Sequence, residues 1–297
     1  MANLLADQKP QMPLADNLAA FERDGFVILR DALDARQRNG LRESALRLLE
    51  SESNLSRTRG VDRKDGFRNL VALDPEFLPL IANARVLPTV IALLSPNLRV
   101  LSSQLISLEP LAPGTQRTIR TPDRSGWHRD DIFGVANDLG FNNVPRLAIK
   151  CAYYLSDVAR PGGGATTFLP GSHMLGEPPR LEQGSIDPAG AITPALGPCD
   201  VVLFENRTWH AGGINQSSDP RLAVMIQYGY RWLAPVDDLY ANILGLSNLS
   251  PVERQLLGEL DRAADGSMAK GAGSRPLHDW WRELGGTSRL GRSAEAI

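Results

Sequence analysis

The chain has 297 residues, 42% of them apolar and 22% charged, with a formal net charge of −2 at pH 7. That composition is ordinary for a globular protein and excludes both a disordered chain and the basic excess that nucleic-acid binding needs. Met1 to Leu18 holds no apolar core, and the most apolar run, Val86 to Leu94, is interrupted by Pro88 and too short to span a bilayer. Cysteine occurs only at Cys151 and Cys199, so a cytoplasmic protein with reduced thiols and no membrane partner is expected.

The first third reads as helical. Asp34 can cap a segment in which Leu41, Ala45, Leu48 and Leu49 recur at helical spacing while Arg42, Glu43 and Arg47 stay polar. A polar stretch, Ser51 to Lys64, precedes two short apolar helical segments, Pro75 to Asn83 and Val86 to Leu94. From Leu98 the period shortens to β-like runs: Arg99 to Leu108, Arg146 to Leu155, Ala165 to Leu169, Val201 to Thr208 and Leu222 to Tyr230. Short strands without intervening amphipathic helices predict a mainly β fold of two packed sheets with flanking helices.

Ser250-Pro251-Val252-Glu253 has the form of a capping box with proline at the first helical position. One domain over residues 1–262 is expected, with a helical part at 15–95, a β core at 98–232 and a C-terminal helix at 250–262. Residues 263–297 read as a linker and tail in which Trp280 and Trp281 dock on the body.

Three pieces carry chemistry. His128 and Asp130 are two apart, so on an extended segment both face one way while Arg129 faces the other. His210 follows the apolar run Val201-Val202-Leu203-Phe204, where a histidine is rarely needed for packing, and can meet that pair if the strand ends converge. Arg221 opens an apolar strand and shares its face with Ala223, Met225 and Gln227. An enclosed guanidinium there calls for a carboxylate partner, which its planar fork can grip with two bonds.

The segments Phe21-Glu22-Arg23-Asp24-Gly25-Phe26-Val27-Ile28-Leu29-Arg30, Gly126-Trp127-His128-Arg129-Asp130, Gly162-Gly163-Gly164-Ala165, Leu169-Pro170-Gly171-Ser172-His173 and His210 to Arg221 occur in this order. In them the chain resembles the phytanoyl-CoA dioxygenase family of iron(II)- and 2-oxoglutarate-dependent oxygenases, the group that includes the ectoine hydroxylases. The resemblance implies a double-stranded β-helix (a cupin-like jelly roll), a metal triad of His128, Asp130 and His210, and Arg221 on the distal carboxylate of 2-oxoglutarate.

It further implies that three open metal positions serve 2-oxoglutarate and dioxygen, that succinate and carbon dioxide are released, and that a C–H bond is hydroxylated. Relatives that halogenate lack the carboxylate retained here as Asp130, which favours hydroxylation; desaturation, epoxidation and cyclisation depend on where the substrate's hydrogens lie.

Two positions depart from the family pattern. Cys199-Asp200 replaces a Gly-Asp turn, and Ala223 stands where many relatives place a hydroxyl that touches the cosubstrate. Gln104, Ser107 and Lys150 are the expected substitutes for that contact. His173 follows a Pro-Gly-Ser turn and is expected to be structural, with no catalytic side chain beyond the metal ligands.

Arg117 and Arg120, in the loop leading to His128, suit an anionic small-molecule substrate, and Phe133, Phe141 and Tyr153 are the expected apolar pocket walls. The alternative for the arginines is a solvated loop paired with Asp123 and Asp131, and for the aromatics simple core packing. A metabolite such as a natural product, compatible solute or lipid-like acid is the expected substrate class, and monomer and homodimer are both compatible. Competing readings are a metal hydrolase, against which Arg221 and the missing general base count, and a non-catalytic binding module that keeps the fold.

Overall fold

Successive side chains of the longer strands alternate between two faces, and a helical layer covers one of them. The computed structural model describes residues 14–51, 57–59, 64–111, 126–237, 241–246, 248–267 and 274–286. The strands are β1 (Phe26–Leu29), β2 (Arg57–Arg59), β3 (Lys64–Arg68), β4 (Leu98–Leu108), β5 (Ala148–Tyr154), β6 (Thr167–Phe168), β7 (Val201–Glu205), β8 (His210–Ala211) and β9 (Arg221–Tyr230). The helices are α1 (Leu14–Asp24), α2 (Ala35–Glu50), α3 (Leu70–Leu73), α4 (Leu87–Leu93), α5 (Val135–Leu139), α6 (Ala241–Leu244), α7 (Pro251–Leu256) and α8 (Pro276–Glu283).

Seven strands form one antiparallel sheet in the order β1-β7-β5-β9-β4-β3-β2. The short pair β6-β8 faces it, extended by bridges between His128 and His210, Phe168 and Ile192, and Gly163 and Asn215. This is the expected jelly-roll core with helices outside. Its outer face buries Ile149, Cys151, Tyr153, Val201, Leu203, Leu222, Val224, Ile226 and Tyr228 against the helices. Between the sheets, Phe26, Ala152, Tyr154, Phe168, Val202, Phe204, Ala223 and Met225 form a second cluster that floors the site.

The caps are those the sequence encodes. Asp34 accepts from Gln37 N while the Gln37 side chain returns to the Asp34 backbone, and Ser250 and Glu253 repeat the arrangement at α7. The segment after Asp74 winds as a 3-10 helix, Pro75–Ala82, with Pro79 inside it. No single described helix is long and apolar enough to cross a membrane, and the bent pair Pro75–Ala82 and Leu87–Leu93 packs into the core.

Two features differ from expectation. Strands β1, β2 and β3 lie in the region read as helical or polar. Cys199 is absent from the residues with positive φ, so this turn does not require glycine. Asp200 holds it instead, accepting from Asp31 N at 3.1 Å, Gly197 N at 2.9 Å and Arg30 Nη1 at 2.5 Å. Leu277 and Trp281 of α8 lie in the main core and Trp280 packs against it, the docking expected of the two tail tryptophans.

Candidate metal centre

The polypeptide brings the two histidines together through its backbone. His128 N donates to His210 O and His210 N to His128 O, both at 3.0 Å, so the first segment is laid beside β8 as an antiparallel rung. The imidazole centroids are 4.3 Å apart. Each ring is oriented by a nearby carbonyl: His128 Nδ1–H donates to Gly126 O at 2.8 Å and His210 Nδ1–H to Thr208 O at 2.9 Å. Both Nε2 lone pairs are thereby left for a metal. One donor atom each from His128, Asp130 and His210 lies within 4.8 Å of the others, with Asp130 Oδ1 3.9 Å from His210 Nε2.

Protonation suits ligation. Burial, with His128 and Lys150 adding to it against the pull of Asp130, pushes His210 down to about 4, so its ring is neutral near pH 7. Burial acts to raise the Asp130 carboxyl, yet Lys150, His210 and His128 outweigh it and hold it at about 2. Lys150 Nζ lies 2.7 Å from Asp130 Oδ2, an ion pair off the direction of a well-aligned hydrogen bond.

The turn before β8 is anchored from behind. Thr208 is fully buried and its hydroxyl donates to Gly25 O at 2.7 Å, while Trp209 N donates to Ser172 Oγ at 2.9 Å. Gly25 has φ of +81°, and a Cβ there would stand 2.5 Å from Thr208 Oγ1, so the opening motif needs glycine on both conformational and steric grounds. His173 is 5% exposed and bonded through Nε2 to Glu22 O at 3.2 Å, which is the structural placement expected.

Arg221 starts β9 and is only 4% exposed. Its Nε and Nη1 have no hydrogen-bond partner, its carbon Cζ stands 5.8 Å from the Tyr154 ring centroid, and burial lowers its pKa from the ordinary arginine value. A guanidinium stays charged in proteins, so this is a buried cation with no anion beside it among the described residues. Gly164 packs against the stem: a Cβ there would come within 3.4 Å of Arg221 Cγ. From Arg221 the strip Ala223, Met225, Gln227 runs to the metal end, where Gln227 pairs across the sheet with Lys150. Ala152 and Ala223 keep the floor of this strip low next to Arg221, and from its far end the Lys150 side chain reaches Asp130.

The structure separates the other expected residues. Gln104 shares the site face, beside Met225, and Lys150 reaches Asp130. Ser107 does not reach the site: it is fully buried with Leu105 and Ser103 on the helix-packed face, its hydroxyl 3.2 Å from Glu109 Oε1. Tyr153 is likewise on the wrong face, donating to Leu80 O at 3.2 Å; Tyr154, overlooked in the sequence, faces the site and bonds Thr166 Oγ1 at 3.0 Å. Phe141 stacks under Arg129 at 4.2 Å and, with Trp127, Trp209, His128 and Asp130, lines a cleft of about 220 Å³. Arg117, Arg120 and the side chain of Phe133 lie outside the described residues.

The family model for phytanoyl-CoA dioxygenase (PhyH) matches residues 21–223, a span holding every ligand atom just described and Arg221. The chain belongs to the phytanoyl-CoA dioxygenase family. The family is one of non-haem iron, 2-oxoglutarate-dependent enzymes. A curated relative is the dioxygenase cdmA of Talaromyces verruculosus, 25% identical over 249 residues, 80% of each chain.

Among solved structures, the epimerase SnoN in complex with Fe3+, alpha ketoglutarate and nogalamycin RO is 22% identical, with TM-score 0.56 over 87% of this chain and 96% of that one. The carbocyclase SnoK from nogalamycin biosynthesis is 20% identical, with TM-score 0.58 over 89% and 97%. HygX from Streptomyces hygroscopicus, with nickel, 2-oxoglutarate and hygromycin B bound, is 19% identical, with TM-score 0.57 over 76% and 91%. At these identities the likeness is one of fold. The residues of this PhyH-family chain fit both groups that such an enzyme uses: two imidazoles and a carboxylate converge, and a buried guanidinium has no anion among the described residues.

Proposed function

We propose that this enzyme hydroxylates an unactivated C–H bond of a small-molecule metabolite, with His128, Asp130 and His210 holding iron(II) and Arg221 gripping the distal carboxylate of 2-oxoglutarate. The observation that carries the reading is the pairing of two features between the facing sheets, a convergent His-Asp-His set on the β8 side and a buried arginine on β9 without a partner among the described residues. A hydrolase needs the first and has no use for the second.

Bound iron(II) with 2-oxoglutarate and dioxygen supplies the oxidising chemistry, with succinate and carbon dioxide as by-products. The chain's own residues bind, orient and shield. Thr208 O and Gly126 O fix the two imidazole tautomers. Arg221 selects a dicarboxylate by charge and fork geometry, and Tyr154 with Ala223 forms the wall beside it. Phe26, Phe168 and Phe204 line the floor around His210, with Phe204 and His210 centroids 4.8 Å apart, and exclude water there.

The cleft lined by Trp127, Phe141 and Trp209 supports a small organic substrate, and natural-product chemistry is the class we favour because named relatives act there. The position of the substrate's hydrogens then decides hydroxylation against desaturation, epoxidation or ring closure.

The test is anaerobic reconstitution with iron(II) and 2-oxoglutarate, recording the weak visible metal-to-ligand charge-transfer band. The band should appear in the wild type. An iron-loaded protein without it would remove the cosubstrate assignment.

A further inference from the structure

Lys150 sits where its charge acts on everything that enters the site. Its ammonium is 2.7 Å from Asp130 Oδ2 and 5.8 Å from the Phe204 ring centroid, with 22% of its side chain exposed. Across the sheet it pairs with Phe204 on one side and Gln227 on the other, at the metal end of the strip that begins at Arg221. The Gln227 carbonyl is already used by Ser102 Oγ at 3.2 Å, and no second described carboxylate lies within ion-pair distance of Lys150.

Two consequences follow from charge alone. By pairing with Oδ2, the ammonium leaves Oδ1, the oxygen that faces His210 Nε2 at 3.9 Å, as the one Asp130 offers to a metal. It also places a positive charge beside the position a divalent ion must take. With two imidazole ligands, one carboxylate, the Lys150 ammonium, the Arg221 guanidinium and a divalent metal the site carries +3, which a dianion cuts to +1 and a neutral molecule leaves whole. Between charges a few ångströms apart in a partly buried site such differences are worth orders of magnitude in affinity.

We propose that Lys150 couples the two loading events: its charge weakens binding of a bare divalent metal and is compensated when the dicarboxylate arrives, so metal and cosubstrate bind as a cooperative pair. The inference rests on the functional reading above and gives Lys150 a positioning and coupling role rather than a catalytic one.

The experiment titrates Mn(II) into metal-free full-length protein, followed by electron paramagnetic resonance, with and without saturating 2-oxoglutarate. Lys150→Met keeps the stem and removes the charge; Lys150→Arg keeps the charge. In the wild type, 2-oxoglutarate should tighten Mn(II) binding by about tenfold or more. Lys150→Met should bind Mn(II) alone about tenfold more tightly than wild type and gain little from 2-oxoglutarate, while Lys150→Arg should keep most of the wild-type coupling.

Equal or weaker Mn(II) binding by Lys150→Met in the absence of 2-oxoglutarate overturns the proposal, and so does a coupling the same as wild type. The cosubstrate reading is judged separately by the iron charge-transfer band. A band in the wild type with no effect of Lys150→Met sinks this inference alone, and a missing band sinks the reading beneath it.

Discussion

Replacing Arg221 with leucine separates a binding role from a structural one, because the two predict opposite signs for stability. Arg221 is 4% exposed, two of its guanidinium nitrogens have no partner among the described residues, and its Cζ stands 5.8 Å from the Tyr154 ring centroid. In the protein without cosubstrate it is therefore a desolvated cation without an anion, and a leucine of similar reach removes that cost. Replacing buried charges with apolar groups stabilises by about 1–4 kcal/mol in comparable cases. At about 2 °C per kcal/mol for a domain of this size, Tm rises by about 2–8 °C.

Cosubstrate binding moves the other way. Removing one member of a buried charge pair costs about 2–5 kcal/mol, so 2-oxoglutarate affinity falls by about 30-fold to several thousand-fold. Iron(II) affinity in the absence of 2-oxoglutarate stays near wild type. Calorimetry gives Tm, and anaerobic titration of iron-loaded protein gives the affinity. Wild-type 2-oxoglutarate affinity in Arg221→Leu would refute the role, and a large drop in Tm would show that the guanidinium serves the fold.

Further outcomes are expected. Asp130→Ala and His210→Ala each lose iron(II) affinity by at least about 10-fold, measured by competition with a chromogenic chelator; His173→Gln, whose parent residue bonds Glu22 O, retains it, and the reverse ranking would move the metal site. Asp200→Ala deletes the acceptor of three hydrogen bonds and leaves Gly197 N and Asp31 N unpaired, so urea unfolding should show a loss of about 2–4 kcal/mol. An unchanged midpoint would rule out its turn-holding part.

Low pH should weaken the metal-free fold. Burial keeps His173 below its ordinary value and His210 at about 4, so between pH 6.5 and 4 the unfolded chain binds protons that the folded chain refuses. Their contribution is complete above pH 6.5 and is lost as pH falls toward 4, readable as a declining urea midpoint. A midpoint flat across that window would contradict the burial argument.

The large-sheet strands β4, β5, β7 and β9 were legible because each is a sustained apolar-rich run, whereas β6 and β8 are two residues each; the two capping boxes are local patterns that do not depend on tertiary context. Strand parity also held the answer to two misplacements. Lys150 and Tyr153 are three residues apart on β5, as are Gln104 and Ser107 on β4, and an odd spacing puts each pair on opposite faces. Applied within each strand, the rule that joined His128 to Asp130 would have rejected Ser107 and Tyr153 and found Tyr154.

The edge strands were less accessible. Arg57–Arg59 and Lys64–Arg68 are short and polar, and they are strands because the second pairs with β4 and the first with the second. The Lys150–Asp130 contact joins residues on separate segments, and no local signal encodes it.

The rung between His128 and His210 has a bearing on how the apoprotein meets its metal. Reciprocal backbone bonds at 3.0 Å fix the relative height and tilt of two ligand-bearing segments that are far apart in the chain. An arriving ion has only side-chain rotamers left to settle, and no loop to gather. Such a centre is architecturally complete before it is loaded, so metal exchange can proceed without unfolding and a chelator should strip it while leaving the jelly roll standing.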